Sequence, residues 1–402
     1  MKSTTWQLEA FLLAGTLAST AGLAHGQGMP RAAARDSAGV RILEYATIKT
    51  PLPAFRVSPQ LLADVGGLRD DPNDEIEAKT GYEAATRFPD GRVAVVENYT
   101  VRILDAKGKF VRLLGGRGGG PGEFDSQITA LCRIRGDSLL VRGSRRVSLY
   151  DASGTHVRST VTDGYIDGNC DADGSVVARA PSPAPLARTA PDELATGQMY
   201  VVLKNLTRDG RFADSIGVFE GEVGRAFAKA VEDRFSVGVH RDKLYADNGA
   251  RSEVKVYSRS GKLTSIIRWH DPLIPITTQM LNEFANSRIP TNVSADERAT
   301  RVAQLTSGKQ RASLPAYSGF FVDHAGRLWV RDYWRTAKGL TFNPGYVVFA
   351  TDGTLLGRYE LPQMAGARRA TVTDADADNV VIRFFSADEG VRVIVQSIAP
   401  AR

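Results

Sequence analysis

One short pattern recurs six times along the chain and constrains its fold more than any other feature. A turn containing Asp or Gly leads into a brief apolar run: FPDGRVAVVE (88–97), RGDSLLVR (135–142), ADGSVVAR (172–179), HRDKLYAD (240–247), HAGRLWVRD (324–332) and ADNVVIRF (377–384). A second pattern, an apolar run, a glycine turn and another run, follows five of them: VRILDAKGKFVRLLG, VSLYDASGTHVRSTV, LKNLTRDGRFADSIG, VKVYSRSGKLTSIIR and YVVFATDGTLLGRYEL. Turn glycines between short runs rich in Val, Ile, Leu and Tyr mark antiparallel hairpins. Each repeat therefore reads as four strands. Four-stranded units spaced by roughly 40–50 residues are the signature of propeller blades. The expected fold is all-β, a six-bladed β-propeller.

After VRVIVQSI (391–398) no second pattern follows, so the sixth unit lacks its outermost strand. The N-terminal runs VRILEY (40–45) and FRVSPQLLADVG (55–66) have strand character and no blade of their own. They are expected to supply the missing strand and close the ring, which removes the open edges of the sheet. Two stretches break the period. Residues 181–197 are a Pro/Ala-rich insertion in the third unit. Residues 270–315 contain LNEFANSRI and ADERATRVAQLTSG at helical spacing, with Ser294 or Asp296 as N-cap, and predict a small helical insertion. Long excursions in a compact fold are more often functional than idle.

The chain opens with Lys2, an apolar stretch from Phe11 to Leu23 and the small-residue site Ala24-His25-Gly26. Residues 1–26 thus have the form of a secretory signal peptide, leaving 27–402 as one propeller domain. No cysteine follows the apolar stretch to carry a lipid anchor, and no later stretch is long and apolar enough to span a bilayer. A periplasmic or extracellular, monomeric protein is expected. The net charge of +6 suits an anionic small molecule, a glycan or a protein partner. No basic run interleaved with aromatics points to nucleic acid.

The run GRVAVVENYTVRILDAKGKFVRLLGGRGGGPGEF (91–124) resembles the NHL-type six-bladed propellers. Their blades carry an Arg-Ile-x-x-hydrophobic-Asp-x-x-Gly strand pair and a Gly-x-x-Gly-x-Gly-Pro-Gly-x-Phe loop into the next blade. The other units match only in turn glycines and apolar period. The resemblance implies a fold rather than a chemistry, since such propellers include binding modules, lactonase-like hydrolases and a lyase. The loop GGRGGGPGEF (115–124) lacks the lysine of a phosphate-binding loop and is followed by a strand, so nucleotide binding is not expected. It reads as a crossover between blades, with Phe124 plugging the gap between sheets and Arg117 as its one candidate for ligand contact.

Repeat alignment puts Cys132 and Cys170 late in the innermost strands of blades two and three. That position suits one disulfide, with two buried free thiols as the alternative. Four blades place arginine at one step after the first turn: Arg142, Arg179, Arg331 and Arg383. With Arg145, Arg146, Arg251, Arg335 and Lys338 in adjoining loops, they predict a basic face that binds carboxylate, sulfate or phosphate. The competing reading pairs each arginine with an acid such as Glu97, Asp247, Asp332 or Asp388. Tyr333, Trp334 and Phe342 add aromatics to that face as a stacking platform, with Trp334 as a plug between blades the equal alternative.

No cofactor is expected under the binding reading. Under the lactonase-like alternative, calcium would be held by Glu97, Asn98, Asp247, Asn248 and Asp332, hard oxygen ligands near strand ends. DADADN (374–379) lacks the glycine and distal Glu of an EF-hand loop. The histidines at 156, 240, 270 and 324 fall at unrelated repeat positions, and no catalytic signature is present.

Overall fold

The computed structural model describes residues 29–48, 52–76, 84–162, 167–180, 198–223, 235–289, 293–307, 312–332, 334–336, 339–341, 345–364, 367–386 and 390–400. The expected leader and the 181–197 insertion lie outside the described residues.

Six sheets, numbered here in chain order, form a ring. Sheet 1 runs Ala85–Arg87, Val93–Glu97, Thr100–Leu104 and Phe110–Gly115; sheets 2 and 3 repeat the same four-strand meander from Ala130 to Val161 and from Asp167 to Val223. Sheet 4 begins with Ser236–His240 and Lys243–Asp247, sheet 5 with Gly319–Val322 and Leu328–Arg331, and sheet 6 with Ala367–Ala375 and Asn379–Ser386. Each of the six patterns found in the sequence is the first turn and second strand of one sheet. The second strands are apolar almost throughout because both of their faces are buried. In sheet 1, Val93 and Val95 point into the seam with sheet 6, while Ala94 and Val96 point into the seam with sheet 2. In sheet 5, Leu328 and Val330 face sheet 4, and Trp329 faces sheet 6. A period of two thus feeds two cores from one strand.

Hydrogen bonds between first turns show that all of these turns lie at one end of the ring. Arg135 N donates to Ala172 O at 2.8 Å, from sheet 2 to sheet 3, and His324 N to Ala375 O at 3.2 Å, from sheet 5 to sheet 6. Asp171 of sheet 3 accepts from Arg241 N of sheet 4 at 2.6 Å. The second strands therefore end at the opposite mouth, where the Gly115–Phe124 crossover and the helical insertion also lie.

Residues 33–66 follow the outer rim. Arg56–Gly66 pairs antiparallel with Gly390–Ala399 and forms the outer strand of sheet 6, with Val65 opposite Val393. The run at 40–45 goes elsewhere: Val40–Tyr45 lies parallel to Leu263–Trp269 and extends sheet 4, with Ala33–Ser37 folded back on it. Between them, Phe55 N donates to Arg358 O at 2.8 Å, and Arg358 N to Pro53 O at 3.0 Å, on the edge of sheet 5. One segment thus straps three consecutive sheets. Tyr45 anchors it: its hydroxyl donates to Gly353 O at 2.7 Å and accepts from Leu355 N at 3.0 Å, buried beside Phe349.

The insertion between sheets 4 and 5 holds two helices, α1 (Thr278–Arg288) and α2 (Ala295–Thr306). Thr277 caps α1 through Met280 N at 3.2 Å, and Ser294 caps α2 through Glu297 N at 3.2 Å. No helix among the described residues is long and apolar enough to cross a membrane.

Candidate functional site

The crossover GGRGGGPGEF borders the loop mouth, and its geometry is that of a packed corner. Phe124 N donates to Gly116 O at 2.8 Å and Gly118 N to Phe124 O at 3.1 Å, which turns the fully buried Phe124 ring between sheets 1 and 2. Gly115 has φ of 85°, and a Cβ there would stand 2.9 Å from Tyr99 O and 3.2 Å from the Phe124 ring. The backbone at that point can only be glycine without a shift. Glu123 accepts from Gly120 N at 2.8 Å, so the loop's acid and amide satisfy each other.

The arginine register reaches the same mouth, but its members have unlike surroundings. Arg142 and Arg383 are buried, at 6% and 4% exposure. Arg179 donates to Phe235 O of the next sheet and stacks over the Phe235 ring at 5.2 Å. Arg331 is half-buried, and its Nε has no hydrogen-bond partner. Arg146 donates to Gly119 O and Gly120 O of the crossover at 3.2 and 3.1 Å. The exposed guanidinium groups are those of Arg117, Arg145 and Arg251, and among the described residues none of the three has an ion pair. Arg117 lies over the Tyr99 ring at 5.4 Å. Trp334 and Arg335 fall on Trp334–Thr336, which pairs with Gly339–Thr341 in a hairpin above sheet 5; their side chains, like Tyr333, Lys338, Phe342 and Asp388, lie outside the described residues.

The oxygen set considered for calcium is spread over sheets 1, 4 and 5, and most of its atoms are committed. Glu97 takes Arg102 Nε at 2.9 and 3.0 Å. Asn98 sits at φ of 55° in a two-residue turn, with its carbonyl accepting from Ile128 N at 2.7 Å. Asn248 donates to Gly221 O at 2.8 Å and accepts from Ala250 N at 3.0 Å. Asp332 accepts from Arg358 Nη1 at 3.2 Å. Asp247 accepts from Asn248 N at 2.8 Å and Gly249 N at 3.1 Å, while its Oδ2 is buried without a hydrogen bond. Burial pushes the Asp247 carboxyl up to about 6, against the opposing pull of Lys255 at 3.8 Å. Among the described residues no three His, Cys, Asp or Glu side chains are arranged to hold a metal ion.

The turn mouth holds a polar cluster that the sequence reading did not assemble. A cavity of about 110 Å³ on the ring axis is lined by Arg133, Asp171, His240, Asp323, His324 and Asp374, with Cys132 and Cys170 on its wall. Cys132 and Cys170 form a disulfide between the innermost strands of sheets 2 and 3, with Cα atoms 6.3 Å apart. His240 and His324 are not at unrelated positions: both stand at the first turn, in sheets 4 and 5, at the head of HRDK and HAGR. That shared place in the repeat was the available signal. His324 Nε2 lies 3.2 Å from Asp374, which also accepts from Thr86 Oγ1 of sheet 1. Burial disfavours the His324 imidazolium, but the charge and hydrogen bond of Asp374 outweigh it and hold its pKa above the ordinary value. His240, lacking such a partner, is pushed down by burial. Arg133 reaches across sheet 1 to Asp376 of sheet 6. Asp323 binds Arg327 Nε at 2.6 Å and Trp329 Nε1 at 2.7 Å. Most of the charges lining the cavity are paired with one another, within a sheet or between sheets.

No protein-family model matches the chain, and no curated protein does. Solved structures resemble it at fold level only. A member of the duf4221 family from Bacteroides vulgatus is 11% identical with a TM-score of 0.48, covering 87% of this chain and 99% of its own. Regucalcin, a calcium-binding protein from Agrobacterium tumefaciens, is 13% identical with a TM-score of 0.39, covering 84% and 95%. A gluconolactonase from Xanthomonas campestris is 16% identical with a TM-score of 0.38, covering 87% and 98%.

Proposed function

We propose that this six-bladed propeller is a non-catalytic binding module of the NHL type, working outside the cytoplasm once residues 1–26 are removed. Its loop mouth would recognise an anionic partner, a small molecule, a glycan or an acidic protein surface. The observation that supports this is the contrast between the two mouths. Around the axial cavity of the turn mouth, His324 pairs with Asp374, Arg133 with Asp376 and Arg327 with Asp323. At the loop mouth, Arg117, Arg145 and Arg251 are exposed without an ion pair among the described residues, and Arg331 Nε is buried without a partner. A guanidinium fork in that state gains a charge-assisted hydrogen bond from carboxylate, sulfate or phosphate at little desolvation cost.

Retention on a sulfated-polysaccharide matrix tests the reading. The variant Arg117→Gln, Arg145→Gln, Arg251→Gln should elute at clearly lower salt than the parent. A control of equal charge, Arg31→Gln, Arg41→Gln, Arg56→Gln on the outer strap, should elute close to it. Equal shifts would mean that net charge alone governs retention, and the assignment to the loop mouth fails. A calcium-dependent, lactonase-type hydrolase would need the Glu97, Asn98, Asp247, Asn248 and Asp332 oxygens released toward one point. A rise in melting temperature with calcium that a chelator reverses would favour that chemistry over the one chosen here.

A further inference from the structure

The seam between sheets 2 and 3 is packed unlike the others. Its buried core is Leu140, Val147, Val176 and Ala178, without one fully buried aromatic. The seam between sheets 4 and 5, in contrast, is wedged by Tyr45, Tyr245, Trp269, Tyr317, Phe320 and Phe349. Where an aromatic wedge would stand, sheets 2 and 3 leave a cleft of about 440 Å³, open toward the turn end and the outer rim. That is inside the range of roughly 300–1,000 Å³ typical of small-molecule sites.

The lining divides by chemistry. Ile134, Leu140, Val147, Leu149, Val176 and Leu206 form an aliphatic trough, and Arg158 and Arg208 stand together at its edge. Arg158 Nη1 donates to Thr160 Oγ1 at 3.1 Å and to Arg208 O at 3.0 Å, while its Nε is buried without a partner. Neither arginine has an ion pair among the described residues. Burial first, and the like charge of Arg208 second, lower the Arg158 pKa, so this cation sits uncompensated. The acid in the lining does not relieve it: Asp173 accepts from Ser175 N at 2.8 Å, and the charges acting on it are those of Arg259 and Arg135.

We propose that this cleft binds a small amphipathic carboxylate, with an alkyl chain in the aliphatic trough and its carboxylate on Arg158 and Arg208. The two arginines supply the charge and the fork geometry that a carboxylate matches. The trough supplies a concave aliphatic surface against which an alkyl chain can bury its own apolar surface. The site lies on the other end of the ring from Arg117, Arg145 and Arg251, and it stands independently of the binding mode proposed for the loop mouth.

Isothermal titration of the full chain with straight-chain carboxylates of six to twelve carbons tests it, with the alcohols of equal length as neutral probes. Affinity should rise about 4-fold per added methylene until the trough is full. Each carboxylate should bind about 10-fold or more tightly than its alcohol. Arg158→Gln with Arg208→Gln should abolish that preference while leaving alcohol binding in place, which also reports that the cleft is still formed. Leu140→Trp, which fills the trough, should remove binding of both series. The Arg117, Arg145 and Arg251 triple variant should bind carboxylates as the parent does. Absence of saturable binding, equal affinity for carboxylate and alcohol, or an undiminished preference in the Arg158/Arg208 variant would each overturn the proposal.

Discussion

Removing the disulfide is the perturbation whose size follows most directly from the architecture. Cys132 and Cys170 join innermost strands across the most thinly packed seam, whose buried apolar cluster has four residues against seventeen between sheets 4 and 5. The cross-link closes a loop with a sequence separation of 38. Loop-closure entropy for that length gives about 3.9 kcal/mol of stabilisation at 25 °C. With an unfolding entropy of about 2.1 cal/mol/K per residue over roughly 370 residues, that energy corresponds to a melting shift of about 5 °C. The variant Cys132→Ala, Cys170→Ala should therefore melt about 5 °C lower by calorimetry. The loss should be local. Hydrogen exchange should quicken in Ala130–Ile134 and Asp167–Cys170 more than in Ala85–Arg87 of sheet 1, whose seam with sheet 6 is held by aliphatic packing. A melting temperature within about 1 °C of the parent, or protection lost evenly around the ring, would refute the idea that this bond stands in for missing packing.

The remaining predictions concern buried groups. Phe124→Ala removes the fully buried wedge between sheets 1 and 2 and should cost about 3–5 kcal/mol by chemical denaturation. Tyr45→Phe strands Gly353 O and Leu355 N and should cost about 1–3 kcal/mol, with faster proteolysis of the strap as the local readout. Asp247 has a carboxyl raised from 3.8 to about 6, so the folded state holds its proton more tightly than the unfolded state and stability falls as pH rises between those values. Asp247→Asn should recover up to about 3 kcal/mol at pH 7.5 and almost nothing below pH 4, as urea melts at the two pH values would show. His324 has the same sign at higher pH: its contribution is complete below 6.5 and disappears as pH climbs through its raised folded value. Its partner Asp374, held low, contributes fully above 3.8 and loses its contribution as pH falls through its folded value. His324→Gln should flatten the alkaline limb of the stability profile of the seam between sheets 5 and 6.

What the sequence made legible was whatever local geometry dictates. A glycine turn with flanking apolar residues specifies a hairpin from a handful of neighbours, and all six first turns and the two capped helices lie where those neighbours put them. The Gly115–Phe124 corner was legible for the same reason, since its hydrogen bonds are internal. Long-range choices were not. Val40–Tyr45 joins sheet 4 in parallel, an addition that needs no turn and leaves no period to read. The register of Arg142, Arg179, Arg331 and Arg383 carried no information on depth, and depth separates the buried Arg142 and Arg383 from the half-buried Arg331. Likewise, Arg133 meeting Asp376 depends on two sheets that are not neighbours. Histidines 240 and 324 could have been paired by their common place at the first turn, but only a closed ring explains why that place faces the axis.

The strap also dictates an order of assembly. Arg392 grips Asp64 across 328 residues, and Tyr45 reaches Gly353 across 308. Sheets 1, 2 and 3 are self-contained meanders that can form as soon as each is synthesised. Residues 40–66 emerge before any of them and must wait, unpaired, until the outer strands of sheets 4, 5 and 6 exist. Such distant pairing carries the loop-closure cost of almost the whole chain and belongs to the slow end of folding. During that interval the segment is a sticky edge in search of a partner, and nascent chains in which it pairs with a neighbouring molecule would be the natural route to strand-swapped dimers.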